Sequence, residues 1–243
     1  MRGEVRIGTA GWSIPAQQAD DFLGIGTQLE RYAQRFPAAE INSSFYRPHR
    51  PSTYERWARS VPEGFQFAVK LPREITHARR LVEATQPLAQ FLSEVSTLGG
   101  KLGPLLVQLP PSLAFEEPAV AAFLGSLRER FAGQVACEPR HATWFTGGVD
   151  ALLSRFEVAR VAADPARVPR AAEPGGWPGL AYYRLHGSPQ MYYSTYEPEY
   201  LEVVARDVAA AASQTAVWCI FDNTALGKAT RNALDLLRRV AVP

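Results

Sequence analysis

Polar side chains close most of the apolar stretches of this sequence. Glu138 follows the run VAC and precedes Pro139, and His186 ends the run YYRLH just before Gly187. A carboxylate near an imidazole can support general acid–base catalysis, because each group shifts the pKa of the other. Other runs end similarly, at Asn42, Lys70, Gln108, Asp164, and Asp222 with Asn223, and Arg140 comes shortly after Glu138. Such residues could bind a small charged molecule and move a proton on it.

Eight apolar or β-branched runs that could position these side chains alternate with helical patterns. We predict strands at residues 5–9, 38–42, 65–71, 104–112, 134–140, 158–164, 180–187 and 216–222. Among the helical patterns, we predict one long helix at residues 79–100. Strands separated by helices pair in parallel, and eight such units in about 250 residues are typical of a (β/α)8 barrel. We therefore predict an α/β fold in which residues 1–243 form a single TIM-like barrel domain. A doubly wound open sheet is the competing fold, but GTAGWS after the first strand is not the GxGxxG loop often found there.

In a barrel of this kind, the chemistry takes place at the carboxyl ends of the strands. We predict catalytic roles for Glu138, His186 and Lys70. The predicted substrate-binding residues are Arg140, Arg184, Asn42, Tyr46, Gln108, Asp222, Asn223 and Trp12. Trp144 and Tyr192 are expected to line the same mouth. The alternative for each polar residue is a structural role, as a turn former, a helix cap or a member of an ion pair.

Arg184 tests this arrangement, because strand alternation fixes the direction in which it points. If Leu185 faces the surrounding helices, Arg184 faces the interior, where an unpaired charge is costly. We therefore expect Arg184 to be buried against a carboxylate. Glu138 and Glu40 are the best placed partners, Glu138 at the mouth and Glu40 one layer lower.

The composition excludes several classes of protein. The chain has 243 residues, 47% of them hydrophobic, and a net charge of +2, which is far from the basic excess of a dedicated nucleic-acid binder. Cys137 and Cys219 lie inside apolar runs without CxxC spacing, so we predict buried thiols and no metal site. No run of about 18 apolar residues occurs, and the N-terminus has no apolar signal region. We expect a cytoplasmic protein that does not enter a membrane.

Several longer motifs point to a known family. They are IGTAGWS, EINSSFYRPHRPSTYERWARSVPEGFQFAVKLPREITH, LGPLLVQLPPS, EPRHATWF, YYRLHG and FDNTALGKATRNALDL. In these motifs the chain resembles the YecE-like family, also called domain of unknown function 72, along nearly its whole length. The resemblance implies a TIM-like barrel, in agreement with the strand count, and implies no particular activity. We assign no role to the Pro- and Gly-rich loop at residues 165–179.

The favoured function is that of an enzyme without metal or cofactor, whose reaction the sequence does not identify. It would act by acid–base chemistry on a small anionic substrate bearing phosphate or carboxylate, or on a sugar-containing one. Lys70 and Arg140 would hold the anion, and Glu138 or His186 would move the proton.

Two other functions remain open. A metal-dependent hydrolase, isomerase or nuclease would use Glu138, His186 and Asp222, but only one of the four histidines ends a predicted strand. A protein that binds a nucleotide or nucleic acid without turnover is the third class. The stretch SFYRPHRPSTYERW mixes arginines with aromatic residues as a single-strand binder does, although we favour a loop and helix start with an aromatic core stripe.

Overall fold

Strands and helices alternate through residues 3–240, which are the residues that the computed structural model describes. Both ends of the predicted domain, residues 1–2 and 241–243, lie outside them. The strands are β1 Val5–Thr9, β2 Ala38–Ile41, β3 Gln66–Lys70, β4 Leu102–Gln108, β5 Val135–Glu138, β6 Val158–Arg160, β7 Ala162–Asp164, β8 Gly175–Gly176, β9 Leu180–Leu185 and β10 Ala216–Phe221. The α-helices are α1 Gln28–Ala33, α2 Ser43–Tyr46, α3 Pro51–Arg59, α4 Thr85–Val95, α5 Glu117–Arg128, α6 Gly147–Arg155, α7 Pro198–Ala212 and α8 Lys228–Val240.

The strands form two sheets of a mixed α/β fold. One sheet has the order β2-β3-β4-β5-β6-β8 and the other the order β1-β10-β9-β7. Every pairing in them is parallel except that of β8 with β6. Because parallel strands end at the same edge, their carboxyl-terminal residues meet at one end of the molecule.

The two sheets are joined at two places. Near the end of β1, the Gly11 N–H donates a 2.8 Å hydrogen bond to the Glu40 carbonyl oxygen of β2. On the other side, the predicted strand 158–164 divides at Val161, so that β6 pairs with β5 and β7 pairs with β9. Val161 itself donates its N–H to the carbonyl oxygen of Cys137.

The structure corrects the long helix that the pattern at residues 79–100 suggests. Arg80, Leu81 and Glu83 have positive φ angles, which a right-handed helix does not allow. The helix α4 begins only at Thr85, and Pro87 lies in its first turn, where a missing N–H costs no hydrogen bond. No helix among residues 3–240 combines the length and apolarity needed to cross a membrane.

Residues 165–179 form the only connection between parallel neighbours in the described chain that has no α-helix. A short 3₁₀ turn and β8 take its place. The buried guanidinium of Arg160 holds this segment. It donates to the Asp150 carboxylate at 2.8 Å and to the carbonyl oxygens of Arg170 and Glu173 at 2.9 and 3.1 Å. The segment is thus fixed by side-chain hydrogen bonds to the backbone.

Candidate functional site

The interior shared by the two sheets changes from apolar to charged toward the carboxyl ends of the strands. Small and aromatic side chains pack together in its apolar part, namely Ala38, Ala68, Leu106, Ala136, Tyr182, Trp218 and Ile220. Side chains alternate along a strand with a period of two, so the residue two positions further along points to the same interior face. The residues at those positions are Glu40, Lys70, Gln108, Glu138, Arg184 and Asp222, and all six are buried. We call Glu40, Lys70, Glu138, Arg140, Arg184, His186 and Asp222 the charged cluster.

Arg184 lies at the centre of the charged cluster and is fully buried. Its Nη2 is 2.6 Å from Glu40 Oε1, and its Nη1 is 2.6 Å from Glu138 Oε2. Nη2 also reaches Asp222 Oδ2 at 3.0 Å, and the Tyr182 hydroxyl donates to Glu40 at 3.0 Å. The structure therefore confirms the expected burial of Arg184 against Glu40 and Glu138, and it adds a third carboxylate.

His186 lies between two of these carboxylates. Its Nε2 is 3.0 Å from Glu138 Oε1, and its Nδ1 is 3.1 Å from Asp222 Oδ2. Ionised carboxylates only accept hydrogen bonds, so both contacts are satisfied when both ring nitrogens donate, which is the imidazolium form. Burial acts to lower the pKa of His186, but the charge of Glu138 and the two hydrogen bonds raise it above its ordinary value. Gly187 follows with a φ of 95°, which lets the chain turn directly after the ring.

Glu138 is surrounded by three cations. Besides Arg184 and His186, the Nε and Nη2 atoms of Arg140 lie 3.0 and 2.9 Å from Glu138 Oε1. Burial acts to raise the pKa of Glu138, but these three positive charges hold it well below its usual range. The remaining Nη1 of Arg140 is 3.8 Å from the sulfur of Met191, and the side chain keeps 12% exposure. Arg140 thus has one weakly engaged donor at the edge of the cluster.

Lys70 is the cation of the cluster that has no counter-charge of its own. The residue is only 7% exposed, yet within residues 3–240 its Nζ makes no ion pair and no hydrogen bond. The described contact of Nζ is the face of Phe45, whose ring centre is 4.1 Å away. Burial and the charge of Arg184 lower the pKa of Lys70 to about 8, although the three carboxylates act in the opposite direction.

A hydrogen bond between α2 and β3 fixes Lys70 and Phe45 relative to one another. The Ser44 hydroxyl lies 2.7 Å from the Lys70 carbonyl oxygen and 3.0 Å from that of Ile41, which holds α2 against the end of β3. Phe45, the next residue, therefore covers the Lys70 ammonium. The ring of His77 meets Phe45 edge-on at 4.9 Å. Partial burial and the charge of Lys70 lower the pKa of His77 to about 4, so it is neutral at pH 7.

Two further predicted residues lie beside the charged cluster. The Asn42 amide nitrogen is 3.4 Å from Asp222 Oδ1, and its own Oδ1 is enclosed without a hydrogen-bond partner in the described part of the chain. The ring of Tyr192 meets that of His186 edge-on at 5.9 Å. Asn42 therefore offers an unsatisfied acceptor next to the charges, which a ligand could use.

Tyr46 and Gln108 are placed less directly. Tyr46 is 78% exposed and packs on Phe45, with ring centres 5.0 Å apart. The Gln108 side chain turns back to donate to the carbonyl oxygen of Leu109 at 2.6 Å. Both lie at the carboxyl ends of the strands, but neither hydrogen-bonds to the charged cluster in the described structure.

Three predicted residues have other partners. Trp12 packs edge-on against the rings of Trp57 and Phe67. Asn223 donates to Asn232 at 2.9 Å and fixes the connection from β10 to α8. Trp144 does not line the mouth, because it is 1% exposed in the core and bonds to a loop carbonyl.

Four side chains at the site were outside the predicted set: Glu40, Phe45, His77 and Met191. Glu40 was considered only as a partner of Arg184, although its strand position gives it the same direction as Lys70. The other three come from segments that follow the strands. The hydrophobic period defines which face a strand residue occupies, but it does not define the path of the chain beyond the strand.

A small recess opens beside the cluster. It is lined by Glu138, Arg140, His186 and Met191 together with residues of the β7 end, among them Pro165. A larger cavity is lined by Trp177 and by residues of α7, and it includes the first residues of β9, so it lies toward the opposite end of the strands. We place the candidate site at the charged cluster, three of whose residues, Glu138, Arg140 and His186, line this recess.

The predicted metal alternative does not fit these residues. Within residues 3–240, no three His, Cys, Asp or Glu side chains are arranged to hold a metal ion. The guanidinium of Arg184 fills the space between the carboxylates of Glu138 and Asp222. Both nitrogens of His186 are already hydrogen-bonded to these same carboxylates.

Comparisons with known proteins agree with the fold. The chain is similar to UPF0759 protein YecE of Escherichia coli (strain K12), with 33% identity over 145 residues, which are 59% of this chain and 51% of that protein. The match thus spans about half the length of that relative. A DUF72 protein of Enterococcus faecalis V583 has 20% identity and a TM-score of 0.81 over 98% of this chain and 96% of its own.

A DUF72 protein of Thermotoga maritima MSB8 is also similar, with 23% identity and a TM-score of 0.78 over 97% of this chain and 98% of its own. At these identities the two solved structures show a shared fold alone. The family model described as "Protein of unknown function DUF72" matches residues 6–243. This match confirms the resemblance seen in the sequence motifs, and the chain belongs to the YecE-like DUF72 family.

Proposed function

We propose that this protein is an enzyme that uses acid–base chemistry, without a metal, on a small molecule bearing a carboxylate or phosphate group. Sugar phosphates and sugar acids are included in this class. One observation carries the proposal, namely the charge balance of the cluster. The three carboxylates of Glu40, Glu138 and Asp222 are matched by the three cations of Arg184, Arg140 and the His186 imidazolium. Lys70 is therefore a surplus cation.

A surplus charge shielded from water is costly unless a ligand balances it. An anionic group beside Lys70 would supply that balance, and the weakly engaged Nη1 of Arg140 is a further donor that the charged cluster offers to such a group. The buried Oδ1 of Asn42 could accept a hydrogen bond from a substrate hydroxyl. Together these groups favour a small polar anion.

His186 is the residue best suited to move the proton. Its imidazolium can release one proton and keep the other N–H on a carboxylate, which holds the ring orientation. Glu138 is a weak base because its pKa lies well below the usual range, so its role is to orient His186 and stabilise its charge. Asp222 does the same at Nδ1. A neutral His186, formed after the transfer, can take a proton back.

We also propose that the two sheets are arcs of one (β/α)8 barrel formed by a single domain. The hydrogen bond between Gly11 and Glu40 and the shared run at residues 158–164 support this.

A cytoplasmic location is proposed as well. The free, buried thiols of Cys137 and Cys219 are typical of a reducing compartment.

The proposed function is tested by calorimetric titration with inorganic phosphate, glucose 6-phosphate and pyruvate. We expect the wild-type chain to bind at least one of these anions. Lys70→Met and Arg140→Met should each weaken that binding about tenfold or more, because each removes a charged hydrogen-bond donor. Lys228→Met, which removes an exposed lysine, is the matched control and should bind as the wild type does.

Two results would contradict the proposal: no anion binds, or binding survives both substitutions at the site. Adenosine monophosphate is added to the series to examine the nucleotide-binding alternative. If it binds and the smaller anions do not, that alternative replaces the proposed function.

A further inference from the structure

We propose that Lys70 is a covalent catalytic residue, whose amine forms an imine with the carbonyl carbon of a small aldehyde or ketone that also carries an anionic group. This inference rests on the proposed function and specifies its substrate class. It assigns to Lys70 a bond-forming role, and it leaves the anionic group of the substrate to Arg140.

The first support is that the Lys70 amine has no ion pair or hydrogen bond in the described chain, whereas the neighbouring cations are all bound to carboxylates. A nucleophilic amine needs an unoccupied lone pair when it is deprotonated. The guanidiniums of Arg140 and Arg184 hold carboxylates, and both nitrogens of His186 do so as well. Lys70 Nζ has no ion pair or hydrogen bond among residues 3–240, and the residue keeps 7% exposure, so it is not fully closed off from solvent.

The second support is that Lys70 is held in place although its end is free. It is the last residue of β3, its neighbour Leu71 donates to the carbonyl oxygen of Leu106, and the Ser44 hydroxyl bonds to its own carbonyl. The face of Phe45 limits the ammonium on one side. Holding a nucleophile in one geometry lowers the entropic cost of bond formation with a bound carbonyl.

Burial adds to the reactivity. Desolvation and the charge of Arg184 lower the pKa of Lys70 to about 8, so a useful fraction of the amine is neutral near pH 7.5. The groups whose charges act on Lys70 come from several elements: Glu40 on β2, Glu138 on β5, Arg184 on β9 and Asp222 after β10. The nearby His77 is neutral at this pH because its pKa is about 4.

The covalent step balances without a co-reactant. The neutral amine attacks the carbonyl carbon, and the C=O bond becomes a C=N bond. The proton that the ammonium loses to become the neutral amine returns to the carbonyl oxygen, a second hydrogen follows from the nitrogen, and the oxygen leaves as water. The nitrogen keeps one hydrogen and the positive charge, so the product is a protonated imine and one water molecule.

A protonated imine carries the same charge as the ammonium it replaces. The carboxylates of Glu40, Glu138 and Asp222, which favour a cation at Lys70, therefore favour the product as well. A protonated imine also withdraws electrons from the neighbouring carbon. Proton removal from that carbon is the kind of step that His186, in its neutral form, could perform.

The test uses the wild-type chain, glyoxylate as the probe and sodium cyanoborohydride as the reductant. Hydride adds to the imine carbon and converts the linkage to a stable secondary amine, which is located by peptide mass spectrometry. The chain has three lysines, Lys70, Lys101 and Lys228, so the other two serve as internal controls. Near pH 7.5, Lys70 has a neutral fraction about two hundredfold larger than that of an ordinary lysine, which restricted access partly offsets.

We expect Lys70 to be labelled roughly tenfold faster than the exposed Lys228. Propanal, a neutral aldehyde of similar size, should show a smaller preference for Lys70, and Arg140→Met should reduce the preference for glyoxylate. Labelling of Lys70 no faster than of Lys228 with either aldehyde would overturn the inference. If phosphate or pyruvate still binds through Lys70 and Arg140 in that case, the proposed function stands and the covalent role alone is lost.

Discussion

Arg160 and Arg184 are both closed off from solvent, at 1% and 0% exposure, and both hold carboxylates. Their directions differ. Arg184 shares the interior face with Tyr182, two residues before it, whereas Arg160 points away from the interior face that its neighbour Ala159 occupies. Arg160 therefore meets α6 and the segment at residues 165–179, and Arg184 meets side chains from both sheets.

The two networks also differ in where their excess charge lies. Asp150 is shared by Arg160 and Arg170, so that network has one cation too many. Arg170 is 49% exposed, however, and water solvates its charge. The excess cation beside Arg184 is Lys70, which is almost buried. A buried charge is thus compatible with a purely structural role, and a buried charge without a partner is the better indication of a binding site.

The largest expected effect is on Arg184. Arg184→Met leaves three buried carboxylates without their shared cation, so the free energy of unfolding at pH 7 should fall by roughly 3 to 5 kcal/mol. Urea unfolding measures this loss. Arg206→Met on the exposed side of α7 is the control and should change stability by less than about 0.5 kcal/mol. A near-neutral result for Arg184→Met would mean that it is not the centre of a buried network.

Arg160 should show a smaller and more local loss. Arg160→Met removes the donors of two backbone carbonyls, but Asp150 keeps Arg170, so we expect a loss of about 2 kcal/mol. Proteolysis should become faster within residues 165–179, while phosphate binding at Lys70 stays at the wild-type level. If Arg160→Met weakens phosphate binding as strongly as Lys70→Met does, the separation of the two networks is wrong.

Much of the fold was predictable because all eight apolar runs contain strands. The period of two also placed Arg184, Glu138 and Lys70 on one interior face, which is why their meeting could be expected. The division of the run 158–164 at Val161 was not predictable, since it depends on which neighbour each half pairs with. The helix at 79–100 was predicted too long, because the hydrophobic pattern carries no signal for the positive φ angles at Arg80, Leu81 and Glu83.

The site was less predictable where loops deliver its side chains. Phe45 covers Lys70 because the hydroxyl of Ser44 hydrogen-bonds to the Lys70 carbonyl oxygen at the end of β3. No local sequence pattern predicts this contact. Trp144 lies two residues before a helix cap and packs into the core, where its indole N–H finds a carbonyl. Residue type identified groups able to do chemistry, but their hydrogen-bond partners decided which of them are free to do it.

Lys70 gives the smallest expected effect, and its sign is opposite to that of the arginines. Its pKa falls to about 8 in the folded protein, so between that pH and about 10.5 the unfolded chain binds more protons at this side chain. The contribution of Lys70 to the free energy of unfolding therefore rises with pH across this window. Below the window, the buried ammonium lowers the free energy of unfolding. Lys70→Met should increase the free energy of unfolding at pH 7 by about 1 kcal/mol while it weakens phosphate binding about tenfold or more. The free energies of unfolding of wild type and variant should converge as pH approaches 10, because the neutral amine carries no such penalty.

Lys228→Met controls for the loss of an exposed lysine and should leave both the free energy of unfolding and phosphate binding unchanged. A destabilised Lys70→Met variant would show that Lys70 neutralises the carboxylates of the cluster in the free protein, and the surplus charge on which the binding site rests would not exist.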